Sequence, residues 1–193
     1  MIVVPLPRSA MEAIRKIPTS LQEAFVLEPR VFGDARGFFL ESYNQRVMAD
    51  LGIADRFVQD NHSCSRCGVL RGLHYQVKHA QGKLIRVVEG EILDVALDLR
   101  RSSPSFGKWE AVRLSGENKR IFWIPAGFAH GFSVTSDKAH VLYKATDFYS
   151  PEDERTLIWN DPDLKIDWQL SGEPIVSAKD QQGVAFRDAE TFA

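Results

Sequence analysis

The chain has 193 residues, of which 44% are hydrophobic and 26% charged, with a formal net charge of -2. That length and balance suit one globular domain large enough to bury its own core, and they exclude collagen-like, fibrous and disordered classes. The charge also excludes the strong cationic field that binding along a nucleic-acid backbone requires, while leaving room for a local basic pocket.

In chain order, the opening MIVVPLPRSAMEAIRK lacks a signal-peptide core because Pro5 and Pro7 interrupt it. No later stretch reaches the ~20 apolar residues that span a bilayer, so the expected location is the cytoplasm. Met11 is an alternative start, and residues 1–20 read as an N-terminal extension of a single domain, 1–193. NQRVMADL, residues 44–51, sets Val47, Met48 and Leu51 at helical spacing before Gly52, which predicts one short helix with a glycine stop. From there to about residue 148 the period changes to two. FVQDN opens this run as a strand, and QDNHSCSRCGVL reads as a polar turn. The turn holds the two cysteines, Cys64 and Cys67, with His62 beside them. A zinc site needs a second ligand pair and a thioredoxin-like motif needs a helix after a strand; with neither in sight, the expectation is two free thiols.

VLRGLHYQ, residues 69–76, follows, with Arg71 and His74 in an apolar run and Gln76 two places on. By residue type alone His74 is open to three readings: metal ligand, packed core histidine and catalytic base. KLIRVVEG is the next strand candidate. In GEILDVALDLR, Leu93, Val95, Leu97 and Leu99 alternate with Ile92, Asp94, Ala96 and Asp98, which predicts a strand with one buried and one mostly wetter face. KWEAVRLS, RIFWIPAG, GFSVTSD and HVLYKATDFY are further strands, each bounded by turn-forming residues. The tail from Ser171 is mixed in character and is expected to pack over the strands. Many short strands, few helical segments and no repeat or linker predict a sandwich or barrel, whose interior tolerates polar side chains only where they line a ligand cavity.

PAGFAHG, residues 125–131, and GVLRGLHYQ resemble the two motifs of the cupin superfamily. The implied fold is mainly β, a cupin-type jelly-roll barrel open at one end, with a few short helices. A metal-binding cupin carries HxH, then a glutamate a few residues on, then the histidine of the second motif. Those positions here hold His74, Gln76, a residue near Ala80, and His130. Two of the four ligands are missing, so no metal is expected.

The resemblance then narrows. VFGDARGFFLESYN, FVQDNHS, GVLRGLHYQ, QGKLIRVVEGEILDVALDLRRSSPSFGKW, IPAGFAHGF, LYKATDFYSPEDE, WNDPDLKIDW and VSAKD look like successive blocks of the dTDP-4-dehydrorhamnose 3,5-epimerases, in order, over about residues 25–181. What that implies is a cofactor-free homodimeric epimerase with neither nucleic-acid nor membrane partners. It would convert dTDP-4-dehydro-6-deoxy-D-glucose to dTDP-4-dehydro-L-rhamnose, in dTDP-L-rhamnose synthesis for cell-surface polysaccharide. The chemistry is accessible without metal or cofactor because carbons 3 and 5 both flank the 4-keto group: loss of a proton leaves an enolate, and its return to the opposite face inverts the centre. The site then needs a base, an acid facing it, and a cation or donor at the keto oxygen.

Carried over residue by residue, the family's base falls on His74, its charge partner on Asp180 in SAKD, the acid of the opposite face on Tyr143 in LYKAT, and a cation close to the substrate on Lys83 in QGKL, which we assign to enolate stabilisation. The family's substrate contacts fall on Arg36, Glu41, Gln59, Asp60, Asn61, Arg71, His130, Glu154 and Lys179. Arg36 and Arg71 suit a diphosphate, which favours bidentate guanidinium, and the thymine stack is left open among Phe38, Phe39 and Tyr149. Departures from the family are a longer N-terminus, VKHA at 77–80, and Arg155 and Thr156 after Glu154; none touches the proposed dyad or acid.

Without the resemblance, His74 reads as a satisfied core histidine, Tyr143 as a strand-forming aromatic, Arg36 and Arg71 as solvated arginines, and Lys179 and Asp180 as polar tail. Three rival functions remain. A mono-epimerase of a related dTDP-deoxysugar pathway shares the same base and acid. A non-catalytic sugar-nucleotide binder is disfavoured by the joint presence of His74, Tyr143 and Asp180, and a metal-dependent cupin by Gln76 and Ala80.

Overall fold

The period-two stretches pair into antiparallel ladders whose order is set by which face of each strand is apolar. The computed structural model describes residues 14–193, so Met11 and the first part of the expected extension lie outside the described residues. The strands are β1 (Ile14–Pro18), β2 (Phe25–Pro29), β3 (Val31–Asp34), β4 (Gly37–Leu40), β5 (Gln59–Arg66), β6 (Leu70–Gln76), β7 (Lys83–Glu89), β8 (Glu91–Asp98), β9 (Trp109–Ser115), β10 (Ile121–Ile124), β11 (Phe128–Val134), β12 (Lys138–Ala145) and β13 (Glu154–Thr156). Among the described residues, two short helices, α1 (Gln45–Asp50) and α2 (Ala178–Gln181), complete the set with a single 3-10 turn at Phe186–Asp188.

Six strands form one sheet in the order β1-β2-β10-β7-β12-β5, and five form another in the order β13-β6-β11-β8-β9; β3 and β4 make a separate hairpin. From β5 to β12 the chain passes repeatedly between the two sheets, as in the expected jelly roll. Their facing sides enclose the main core, with Val26, Ile85, Val87, Phe122 and Val141 from the first sheet against Ile92, Ala96, Leu114, Phe128 and Phe132 from the second. Residues 14–20 of the expected extension are built into the structure: Ile14 is buried and β1 pairs along β2.

Each sheet is also covered on its outer side. The predicted helix becomes α1, with Asn44 Oδ1 accepting from Arg46 N–H at 3.1 Å as its N-cap. Met48 and Leu51 press onto Phe25, Leu84, Ile121 and Trp123 of the first sheet. The C-terminal segment covers the second sheet, where Leu157, Leu164 and Trp168 pack on Leu73, Val95, Leu97 and Leu99.

Two local expectations are corrected. QDNHSCSR is not a turn but β5, an edge strand paired to β12 through Gln59–Arg66. An edge strand with one solvated face tolerates that polarity, and the real turn is shorter, at Cys67–Gly68. The supposedly wetter face of β8 is not wet, because Asp94 and Asp98 are fully buried in the structure. The leucine face lies under the C-terminal segment and the Asp94 face points between the sheets.

Candidate active site

At one end of the barrel the two sheets part around a cavity of about 170 Å³, whose lining includes Arg71, His74, Lys83, His130, Tyr143 and Glu154. Strand register accounts for the gathering. His74 and His130 are directly opposed in the β6–β11 ladder, while Tyr143 on β12 lies opposite Ile85 of β7 and Asn61 of β5. His74 and His130 therefore come from one wall and Tyr143 from the other.

His74 Nε2 lies 2.5 Å from Asp180 Oδ1. Asp180 is delivered by α2, whose N-cap Ser177 accepts from the Asp180 N–H at 3.1 Å. Burial would raise the Asp180 pKa, but hydrogen bonds from His74, Ser177 and the Gly72 N–H outweigh it and hold the carboxyl below its ordinary value. An ionised carboxylate only accepts, so Nε2 carries the hydrogen and Nδ1 is left with the lone pair that can take a proton. Opposite, burial raises the Tyr143 phenol, with Arg71 opposing and Glu154 adding to the shift. A phenol kept protonated is a proton donor. Lys83 is buried at the start of β7, and desolvation lowers its pKa to about 8.

His130 Nε2 lies 2.7 Å from Asp94 Oδ1, while Asp94 Oδ2 has no partner among the described residues. Burial raises the Asp94 pKa against the pull of His130 and Lys83. The sequence alternation puts Asp94 on the wetter face and gives it no role in the site; that it shares its strand face with Ile92 and Ala96 was the available signal. Among the described residues no group of three or more His, Cys, Asp or Glu side chains is arranged to hold a metal ion. Gln76, at the would-be second ligand position, hydrogen bonds to loop backbone.

The other residues singled out in the sequence divide between this cavity and the outer surface. Arg71 Nε donates to Ser65 Oγ at 3.0 Å on the cavity wall. Glu154 at the rim pairs with Lys179 and accepts from the Tyr149 hydroxyl at 2.6 Å. Burial would raise Glu154, but these two partners hold it below its ordinary value. Gln59 accepts from the Tyr149 N–H at 3.0 Å and donates to Asn61 Oδ1 at 3.0 Å. Asp60 points to the outer face of β5, paired with Lys144 at 2.9 Å. Arg36 stands on the exposed β3–β4 hairpin, paired with Asp34 at 2.6 Å, and Glu41 accepts from Asn44 at 3.2 Å. The neighbouring Phe38 and Phe39 line a separate hollow with Arg86, Val88 and Lys119. Val88 is five residues beyond Lys83 on β7, roughly 17 Å at ~3.3 Å per residue. Of the three aromatic candidates, Tyr149 is the one that lines the cavity.

Residues 18–188 match the family described as dTDP-4-dehydrorhamnose 3,5-epimerase. The chain is 61% identical over 174 residues to the dTDP-4-dehydrorhamnose 3,5-epimerase of Pseudomonas aeruginosa, covering 90% of this chain and 96% of that protein. It is 54% identical to that of Shigella flexneri, covering 91% and 98%. Among solved structures, the dTDP-6-deoxy-D-glucose-3,5-epimerase of Legionella pneumophila in complex with dTDP-4-keto-L-rhamnose superposes with a TM-score of 0.89 at 51% identity, over 92% of this chain and 95% of that one. On the fold, the site and these likenesses together, the chain belongs to the dTDP-4-dehydrorhamnose 3,5-epimerase family.

Proposed function

We propose that the protein converts dTDP-4-dehydro-6-deoxy-D-glucose to dTDP-4-dehydro-L-rhamnose, with His74 as base and Tyr143 as acid. The observation that carries this reading is the placement of His74, backed by Asp180, and Tyr143 on facing sheets of one cavity. His74 Nδ1 takes the proton from carbon 5, and the C–H electron pair passes into the C4 carbonyl as an enolate. The Lys83 ammonium stabilises the enolate oxygen, with His130 beside it as a substrate contact. Tyr143 returns a proton to the far face of carbon 5, and solvent restores both side chains. In a gluco-configured ring the hydrogens on carbons 3 and 5 lie on the same face, so the same pair serves carbon 3. Inversion at both centres is favoured over one because relatives sharing more than half their residues with this chain carry the 3,5-epimerase name.

Arg71 and Lys179 hold the diphosphate, and Tyr149 stacks on the thymine beside Gln59 and Asn61. Arg36 adds a guanidinium to the diphosphate from a second copy, and Glu41 of that copy accepts from the nucleoside. Their hairpin stands away from its own cavity with Phe38 60% and Phe39 49% exposed, as a homodimer contact would require. The proposed location is the cytoplasm, with the product bound for cell-surface polysaccharide. Two exposed free thiols suit a reducing compartment, and no helix among the described residues is long and apolar enough to cross a membrane.

The test is proton NMR in deuterium oxide. His74→Asn should lower both turnover and deuterium entry at carbons 3 and 5 by at least about 100-fold, the usual scale of a lost general base. Tyr143→Phe should still exchange label, with configuration largely retained and little epimerised product. Normal epimerisation by Tyr143→Phe, or undiminished exchange by His74→Asn, overturns the assignment.

A further inference from the structure

Gln76 ends β6 only 4% exposed, and its amide is committed to two loops at the cavity mouth. Nε2 donates to the carbonyls of His79 at 2.7 Å and Phe148 at 3.2 Å, and Oε1 accepts from the Ser150 N–H at 2.9 Å. One side chain thereby joins residues 77–82, which lead into Lys83, to residues 146–153, which carry Tyr149. The same loops are tied again by Gln81 Nε2 donating to the Asp147 carbonyl and by the Gly82 N–H donating to Thr146 Oγ1, each at 2.8 Å. A buried amide is tolerated only when its donors and acceptor are satisfied, and here loop backbone alone satisfies them. Both amide hydrogens are taken, and none of the three bonds goes to His74, Asp180 or Tyr143.

We infer that Gln76 is a positioning residue, which clamps the two mouth loops so that Tyr149 meets the nucleotide end of the substrate. The inference rests on the proposed function. It places Gln76 in substrate affinity and outside the proton transfers, since the loop it holds carries the aromatic ring at the rim rather than the base or acid.

Gln76→Met keeps length and apolar bulk while removing all three bonds. It should raise KM and the dTDP dissociation constant together by about tenfold, with kcat falling by less than about threefold, the pattern of lost uniform binding. Amide exchange at Ser150 should quicken in step. Unchanged dTDP affinity alongside faster Ser150 exchange overturns the inference, because the clamp would then exist without positioning anything. A fall in kcat at unchanged KM also overturns it, by putting Gln76 in the chemistry. Should Gln76→Met fail to fold, Gln81→Met cuts the second tie from an irregular segment. It should weaken dTDP binding by about threefold, and no weakening counts against the clamp. The wild-type protein separates the two claims: failure to epimerise sinks the proposed function, whereas normal epimerisation with unaltered variants sinks this inference alone.

Discussion

Lys83 holds its charge where burial makes it costly. Desolvation lowers its pKa from 10.5 to about 8 even with the attraction of Glu154 and Asp94 opposing the shift. Because the folded pKa lies below the unfolded one, the penalty is complete below pH 8, where both states are protonated, and gone above 10.5, where both are neutral. Lys83→Met should therefore raise stability by about 3 kcal/mol at pH 7, at ~1.4 kcal/mol per pKa unit, with the gain fading between pH 8 and 10.5. Urea unfolding at about pH 7 and about pH 10 measures it, and the variant should lose epimerisation. The resemblance supplied Lys83, His74, Tyr143 and Asp180 from short blocks. Nothing local in SAKD shows that Asp180 reaches across to a strand 106 residues earlier. Nor did GEILDVALDLR mark Asp94 as the partner of His130, since a strand pattern tells which residues share a face but not what that face meets.

Between elements, the approach of β6 to β11 decides where His74 stands. A Cβ on Gly131 would lie 2.7 Å from the Arg71 carbonyl, and one on Gly72 would lie 2.6 Å from the Gly131 Cα, with Gly72 at φ +114°. Both strands pass too closely there for a side chain, at the register shift between His130 and Phe132. Gly131→Ala should cost about 3 kcal/mol of stability and slow deuterium exchange at carbons 3 and 5, because β6 carries both Arg71 and the proposed base, His74. Thermal unfolding and the NMR assay check both. The helix at 44–51 and most strands were legible because their periods are strong. β5 was legible only at its start, where FVQDN overlaps it; its remaining hydrophilic residues imitate a turn, and the short strands β1 to β4 and β13 were not read as strands at all.

For the molecule as a whole, the hairpin bearing Arg36 is the feature that a single copy leaves unexplained. On the proposed dimer, replacing Phe38 and Phe39 with serine should shift light scattering toward a monomer and weaken dTDP binding, since Arg36 would then be withdrawn from the neighbouring cavity. A dimer that persists with unchanged dTDP affinity would count against the hairpin's role. The sequence by itself determined the fold class, the helix, the family and the main candidates for base, acid and cation, because each rests on short-range pattern or on blocks of adjacent residues. The tertiary structure alone decided that β8 is buried on both faces, that His74 and Tyr143 stand on opposing walls, and that Arg36 and Asp60 lie away from the cavity they were expected to share. Those outcomes depend on which sheet covers which face and which strands become neighbours, and such long-range contacts are set by packing the whole chain at once.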